Sequence, residues 1–431
     1  MEQTAIKIPK HKNSDSPKSV EGTVCVVCNG CPENRIDSAS VQKCLKLNGW
    51  EILENWKNAD LILLNACGLT GNLANDTLNI IKEIETEKKK GAKLFVWGCL
   101  TKIDPIALRN VFEGKTFKEA EDLLEELLGS DSDMATVKGN RILPEIQLSK
   151  NIRKNFLSYN GSIPTKIIKH IAVKWDTIVK SRINLIREND PSIFYIKIAS
   201  GCLSQCAYCG IKKSRGTIKS IPINEVITQF KEGLQKKFDK FSLLGTDLGA
   251  YGMDLGYNLM DLLKALIQLE GDFKIGLRNV NPSHLTKMIK DFIPILQSKK
   301  IWYIEIPVES GSNRLLKLMN RDYTIEEYKN CVETIRKICP KILIRTQILV
   351  GFPTETQQDI ADTIQLLDDV VFDYIEVYRY SDRPGTIASQ LKHKIPSQEK
   401  EKRFLKVYKN AQFNRPKLKI KNLILHRKKS S

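Results

Sequence analysis

From Gly22 to about residue 145 short apolar runs alternate with helical stretches, and the clearest runs are Val24–Cys28, Asp60–Asn65 and Ala92–Trp97. Strands that alternate with helices predict a mostly parallel α/β sheet. The run Thr23-Val-Cys-Val-Val-Cys28 is apolar on successive positions and reads as a buried strand. Residues 146–190 mix basic helix with Asn-Gly-Ser and Pro-Thr turns and predict an interdomain linker. Alternation then resumes. Strands are predicted at Phe194–Ala199, Lys240–Leu244, Lys274–Arg278, Trp302–Val308, Leu343–Val350 and Tyr374–Tyr378. Six strands, each followed by a helix, predict a partial (βα)6 barrel over 191–396, short of the eight strands of a closed one.

The ends look different. Residues 1–21 are polar and lysine-rich without periodicity, which predicts a disordered tail. After Pro396 a charged helix is expected from Ser397 to about Asn414. A basic tail to residue 431 follows, in which Lys alternates with Leu or Ile as in an edge strand.

Composition narrows the class. A chain of 431 residues with 42% hydrophobic content can bury a large core. No apolar run approaches the roughly 18 residues that span a bilayer, and the N-terminus has no apolar core for export. The expected location is therefore the cytoplasm, with no membrane, where thiols stay reduced or bind metal. The net charge of +18 suits a polyanionic partner such as RNA. Of the basic residues, however, 51 are Lys and only 17 are Arg, which fits a general compositional bias equally well.

The 11 cysteines carry the chemistry. Gly201-Cys-Leu-Ser-Gln-Cys-Ala-Tyr-Cys-Gly210 holds Cys202-x3-Cys206-x2-Cys209, a tight triad with no fourth cysteine nearby. A cubane iron-sulfur cluster normally takes four thiolates. Three leave one iron open for a substrate or cofactor. An alternative pairs Cys206-x2-Cys209 with Cys25-x2-Cys28 as a four-thiolate zinc site, at the expense of stranding Cys202. A second set of thiols follows the three N-terminal strands: Cys31, Cys67 and Cys99. In parallel sheets the carboxyl ends of the strands form the ligand-binding edge, so these three can hold a second cluster. Each Gly-Cys or Ala-Cys can also be a plain turn. Cys44, Cys331 and Cys339 fall in helical patterns and are expected to pack, and Cys25 and Cys28 read as buried strand residues.

Several motifs accumulate on this frame: Gly30-Cys-Pro-Glu-Asn-Arg-Ile-Asp-Ser38, Leu64-Asn-Ala-Cys-Gly68, Val96-Trp-Gly-Cys99, Gly245-Thr-Asp-Leu-Gly-Ala-Tyr-Gly252, Pro307-Val-Glu-Ser-Gly-Ser312, Met319-Asn-Arg-Asp-Tyr323, Val350-Gly-Phe-Pro-Thr-Glu355 and Tyr380-Ser-Asp-Arg-Pro-Gly385. With the 202–209 triad and its aromatic Tyr208, the chain resembles the methylthiotransferase family of radical S-adenosylmethionine (SAM) enzymes over roughly residues 23–395. The resemblance implies an N-terminal parallel-sheet α/β domain (22–145) followed by a partial (βα)6 radical SAM barrel. It implies two [4Fe-4S] clusters: one on Cys202, Cys206 and Cys209 that cleaves SAM to a 5′-deoxyadenosyl radical, and an auxiliary one on Cys31, Cys67 and Cys99 that delivers methylated sulfur. It further implies that Gly245, Thr246 and Asp247 contact the SAM amino group and the substrate. Glu309, Ser310 and the strand ending at Gly351 would line ribose and adenine. An electron donor such as flavodoxin or ferredoxin is implied as partner.

Two departures bear on the substrate. Glu309 stands where the family usually has Gln, and Glu305 where it often has His, which suggests a more acidic pocket. The C-terminal β-barrel TRAM module of members that modify tRNA or ribosomal protein is not evident after Pro396. The resemblance leaves the acceptor open between a peptide or protein residue, as in the branch that modifies ribosomal protein S12, and a modified adenosine beside the tRNA anticodon. Two readings from other classes are a cobalamin-dependent radical SAM methyltransferase and a zinc-stabilised RNA-binding protein. Against the first, none of the five histidines has Asp two residues before it.

Overall fold

The computed structural model describes residues 22–68, 71–129, 139, 143 and 190–411. The expectations for residues 1–21, for the linker through 189 and for an edge strand in the tail fall outside them.

The first unit runs β1 (Thr23–Cys28), α1 (Pro32–Leu47), β2 (Glu51–Ile52), β3 (Leu61–Asn65), α2 (Gly71–Glu87), β4 (Lys93–Trp97), α3 (Cys99–Ile103), α4 (Pro105–Arg109), β5 (Thr116–Phe117) and α5 (Ala120–Leu128). Its five strands form one parallel sheet in the order β2-β1-β3-β4-β5. Along β1, Cys25 and Val27 enter the core layer with Ile81 and Ile84 of α2. Val24 and Val26 enter the opposite layer with Val41 and Leu45 of α1 and Leu123 of α5. Helices on both faces are why this strand is apolar at every position. The edge strands β2 and β5 have two residues each, too few for a periodic signal.

The second unit contains β6 (Ile193–Lys197), β7 (Ala199–Ser200), α6 (Ile211–Arg215), β8 (Lys219–Ser220), α7 (Ile223–Gln235), β9 (Lys240–Leu244), α8 (Leu259–Ile267), β10 (Lys274–Leu277), α9 (Pro282–Gln297) and β11 (Ile301–Glu305). It continues with α10 (Asn313–Leu318), α11 (Ile325–Ile338), β12 (Leu343–Val350), α12 (Gln357–Asp369), β13 (Tyr374–Arg379) and α13 (Ile387–Gln390). A six-stranded parallel sheet follows chain order, β6-β9-β10-β11-β12-β13, with β6 and β13 as its edges, so the barrel is open. Capping boxes start three of its helices, at Asn258 with Asp261, Thr324 with Glu327 and Thr356 with Asp359, and each satisfies otherwise orphaned N–H groups of the first turn.

The predicted run Phe194–Ala199 splits at Ile198. β6 ends at Lys197, and Ala199 instead pairs antiparallel with Ser220 in the small β7–β8 ribbon. The run Trp302–Val308 leaves the ladder early, at Glu305, and rejoins only through an isolated bridge from Glu309 to Ile348. The expected charged helix is present over 397–411. It does not stand apart. Val407 and Ala411 join the barrel core, and Arg403 pairs with buried Glu355 at 3.1 Å.

Candidate active site between the two sheets

Two glycines set the cysteine loops. Gly201, just before Cys202, has φ +78°, and a Cβ there would lie 2.0 Å from the Thr217 carbonyl oxygen. Gly98, just before Cys99, has φ +101°, and a Cβ would lie 2.3 Å from Asn65 Oδ1. Only glycine tolerates such positions without displacing the backbone that presents the thiol.

The 201–210 loop is tied down along its length. Gly201 N–H donates to Thr246 Oγ1 at 3.2 Å, Cys202 N–H to the Gly216 carbonyl at 3.2 Å and Ala207 N–H to the Met319 carbonyl at 2.9 Å. Asn281 serves two purposes: its Oδ1 caps α9 through the Ser283 N–H, while its Nδ2 donates to Ser204 Oγ at 2.8 Å and to Asp247 Oδ2 at 3.3 Å. The three thiols differ in surroundings. Cys202 Sγ lies 3.5 Å from Asp247 Oδ2, and Cys206 Sγ accepts from Arg321 Nη1 at 3.4 Å. Burial pushes the metal-free Cys202 thiol up to about 12, with Asp247 adding to the shift, and the Cys209 thiol up to about 11. Binding to a metal deprotonates such thiols and releases their protons.

At the other sheet, Cys31 caps the start of α1 and Cys99 opens α3. Both thiols point toward Asn34 Oδ1, at 3.8 and 3.6 Å. The backbone N–H of buried Cys67 donates to Asn29 Oδ1 at 3.1 Å. Burial raises the Cys31 thiol well above its ordinary value, and Cys67 and Cys99 are close enough to add to that shift. The three strand-end cysteines are thus brought to one place.

Cys202, Cys206 and Cys209, and of the second set Cys31, line a cavity of about 640 Å3 at the carboxyl ends of the barrel strands. Cys31, Pro32 and Glu33 supply its lining from the N-terminal unit, and Cys202, Cys206 and Cys209 line it from the barrel unit. Of the other residues singled out from the sequence, Tyr208, Gly245, Thr246, Asp247 and Glu309 line it, whereas Ser310 and Gly351 do not. Ser310 is buried with its Oγ 3.4 Å from Thr363 Oγ1, and Gly351 donates its N–H to the Glu355 carboxylate at 3.0 Å. Asp247 is 2% exposed, and its Oδ1 has no hydrogen-bond partner. Glu309 adopts a left-handed φ of +65°, a conformation that costs a non-glycine residue about 1–3 kcal/mol. It is held there by its N–H to the Gln347 carbonyl and its carbonyl to the Leu349 N–H, both at 2.8 Å. Burial raises the Glu309 carboxyl, while Arg321 and Tyr208 act in the opposite direction.

The two glutamates that depart from the family pattern have basic neighbours. Glu305 pairs with Arg345 and accepts from Gln347 Nε2 at 2.6 Å. Six basic side chains line the cavity against four acidic ones (Glu33, Asp247, Glu305 and Glu309). The zinc arrangement is not formed. Cys25 packs into the core layer of β1, and among the described residues no group of three His, Cys, Asp or Glu side chains is gathered for a single ion. Thiolates of a cubane bind different irons, so they stand farther apart than ligands of one ion.

What the sequence did not disclose is how the sheets are joined. Arg215, at the end of α6, reaches across to α1: its Nη1 lies 3.3 Å from Glu33 Oε2 and 3.3 Å from Asp37 Oδ2, and its Nη2 donates to Asn34 Oδ1. Thr246 Oγ1 donates to Glu33 Oε2 at 3.1 Å, and Lys197 Nζ to Asp37 Oδ1 at 2.6 Å. The Cys31–Ser38 motif is therefore the docking face of the N-terminal unit.

Burial alone would raise the Asp37 carboxyl, but Lys197 and Arg215 hold it below its ordinary value. A depressed folded-state pKa means that the contact contributes fully above the unfolded carboxylate pKa of about 3.9 and is lost as pH falls through the lower folded value. Asp37→Asn is expected to cost about 1.5–3 kcal/mol at neutral pH. It should also flatten the acid limb of urea-unfolding stability measured from pH 7 to 3. An acid limb as steep as the wild type's would contradict this assignment.

Comparison with known proteins supplies the family. The Radical SAM superfamily profile matches residues 196–367, and Uncharacterized protein family UPF0004 matches residues 23–117. The ribosomal protein uS12 methylthiotransferase RimO of Thermodesulfovibrio yellowstonii is 30% identical, over 88% of this chain and 80% of that protein. The chain belongs to the methylthiotransferase family. It is a radical SAM enzyme of that type, and a [4Fe-4S] cluster and SAM come with the superfamily. Another methylthiotransferase, the probable threonylcarbamoyladenosine tRNA methylthiotransferase of Pyrococcus horikoshii, is 28% identical over 84% of this chain and 78% of its own length. Among solved structures, the radical SAM methyltransferase TsrM from Kitasatospora setae superposes with a TM-score of 0.56 at 14% identity, covering 86% of this chain and 75% of TsrM. At that identity the likeness concerns the fold. No described helix of this methylthiotransferase is long and apolar enough to cross a membrane.

Proposed function

We propose that this methylthiotransferase inserts sulfur and methyl into a C–H bond of a tRNA adenosine that already carries a threonylcarbamoyl group, using two [4Fe-4S] clusters and SAM. The observation that carries the two-cluster reading is one cavity lined by Cys202, Cys206 and Cys209 and by Cys31, whose thiol shares Asn34 Oδ1 with Cys99. The residues fit the groups. Two sets of three thiols each leave one iron of a cubane without a protein ligand, and the unpartnered, buried Asp247 Oδ1 beside Cys202 suits an ammonium group. When bound, these cofactors would supply a 5′-deoxyadenosyl radical for hydrogen abstraction and a methylated sulfur for transfer.

The chain's own residues would prepare the site. Asp247 would receive the SAM amine, with its other oxygen held by Asn281. Thr246 is pinned between Gly201 and Glu33, so the SAM side of the cavity is registered against the N-terminal wall. Glu309 and Tyr208 would face the nucleoside part of SAM. Arg321 would place positive charge beside the Cys206 thiolate. An external one-electron donor such as flavodoxin or ferredoxin would serve as reductant.

The tRNA acceptor is supported by the net charge of +18 and the Pyrococcus relative. Nucleosides from tRNA and tryptic peptides of ribosomal protein S12 should be compared by mass spectrometry in cells with and without the protein. The methylthio form of threonylcarbamoyladenosine should vanish with the protein, leaving its unmodified precursor, while the peptides stay unchanged. Loss of the sulfur-plus-methyl mass from the peptides alone would overturn the tRNA reading in favour of a protein acceptor.

A further inference from the structure

Most basic side chains in the cavity have protein partners. Arg345 pairs with Glu305 and Glu376, Arg379 with Glu401, and Arg321 with Cys206 and the Pro307 carbonyl. Arg383 differs. It is 5% exposed and lines the cavity, yet its Nη2 has no hydrogen-bond partner and its guanidinium makes no ion pair among the described residues. Its stem rests against Gly210, immediately after Cys209, where Ile103 of α3 also touches. Its charge is felt by Cys67 and by Asp104, although Asp104 is engaged in capping α4 through the Ala107 N–H at 3.0 Å. The side chain therefore lies where the Cys209 loop meets the helix that Cys99 opens, and no carboxylate among the described residues pairs with it.

A buried donor left without an acceptor is costly, and the fork of donors on arginine matches a carboxylate in two parallel hydrogen bonds. A threonylcarbamoyl group is an amino acid joined through its nitrogen, so it keeps a free carboxylate on a short arm from the adenine. We infer that Arg383 is the subsite that binds the carboxylate of the acceptor's threonylcarbamoyl group, and so tells a modified adenosine from a plain one. This inference rests on the acceptor reading above. It makes Arg383 a specificity residue: the adenine ring would lie between the thiol sets only when its arm is anchored at the guanidinium.

The test uses the reconstituted holoenzyme and two probes, the nucleoside N6-threonylcarbamoyladenosine and its carboxyl methyl ester, with dissociation constants measured for wild type, R383K and R383Q. Wild type should bind the acid at least about tenfold more tightly than the ester. In R383Q the two should bind alike, and R383K should keep part of the preference. Because the ratio is taken within each protein, a general loss of stability does not imitate the result. An undiminished acid preference in R383Q would overturn the subsite while leaving the tRNA reading intact. So would an unchanged ratio accompanied by an altered electron paramagnetic resonance signal of the auxiliary cluster, which would assign the guanidinium to the cluster instead. Failure of wild type to bind either nucleoside form overturns the proposal together with the acceptor reading. In that event, a peptide compared in its aspartate and asparagine forms shows whether the arginine reads a protein carboxylate.

Discussion

Replacing Cys202, Cys206 and Cys209 together by alanine is expected to lower bound iron from about eight to about four atoms per chain and to reduce SAM cleavage to background. These thiols line the cavity and belong to none of the hydrophobic core clusters, so the fold should survive their loss. The loop itself is held by bonds that do not involve sulfur, from Gly201 to Thr246, Ser204 to Asn281 and Ala207 to Met319. The complementary triple change at Cys31, Cys67 and Cys99 should also leave about four irons. In that variant 5′-deoxyadenosine would still form, but methylthiolation would stop. Iron and labile sulfide after anaerobic reconstitution, with 5′-deoxyadenosine quantified by chromatography, separate the two cases. Stoichiometric zinc without labile sulfide in the wild type would sink the two-cluster reading, and equal loss of SAM cleavage in both variants would remove the division of labour between the sites.

The second large effect is expected at Arg215. Its side chain is 10% exposed and faces two carboxylates, Glu33 and Asp37, together with the Asn34 amide that both Cys31 and Cys99 approach. Truncation to alanine leaves buried Glu33 without its counter-charge, while Asp37 keeps Lys197, and breaking a comparable buried pair costs about 3–5 kcal/mol. Lysine keeps the charge but lacks the planar fork, so it should recover only part of that loss. The functional consequence follows from position. Arg215 ends the helix that begins two residues after Cys209, so it links one thiol loop to the residue that orders the other. Arg215→Ala should therefore uncouple the half-reactions, with 5′-deoxyadenosine still produced but several-fold less methylthio product per radical formed. Denaturant unfolding gives the stability term and the product ratio gives the coupling. A normal product ratio in a destabilised protein would reduce Arg215 to a structural role.

Much of this site was legible because its chemistry depends on spacing within one loop. Three thiols within eight residues have to meet wherever the loop lies, and a cysteine after a parallel strand has to emerge at the carboxyl edge of its sheet. The interior strands were legible for a related reason: β1, β3 and β4 are covered on both faces and carry continuous apolar runs. The two-residue strands β2 and β5 have no periodicity to read. The resemblance implies Ser310 and Gly351 beside the ligand, and the chain turns Ser310 toward Thr363 and the Gly351 N–H toward Glu355. A strand end specifies an edge, whereas the direction of one side chain there depends on the neighbouring helix.

The sequence by itself determined the two parallel α/β units, the 202–209 cysteine triad and the methylthiotransferase resemblance, because each is encoded in local order and short motifs. The tertiary structure alone decided how the units face one another. Arg215 lies 178 residues from Asp37, and Thr246 lies 213 from Glu33, and no periodicity or motif reports a contact across such a separation. The same holds for charge. Glu305 and Glu309 read as acidity along the chain, and only folding sets Arg345 and Arg321 against them and leaves Arg383 without an ion pair among the described residues.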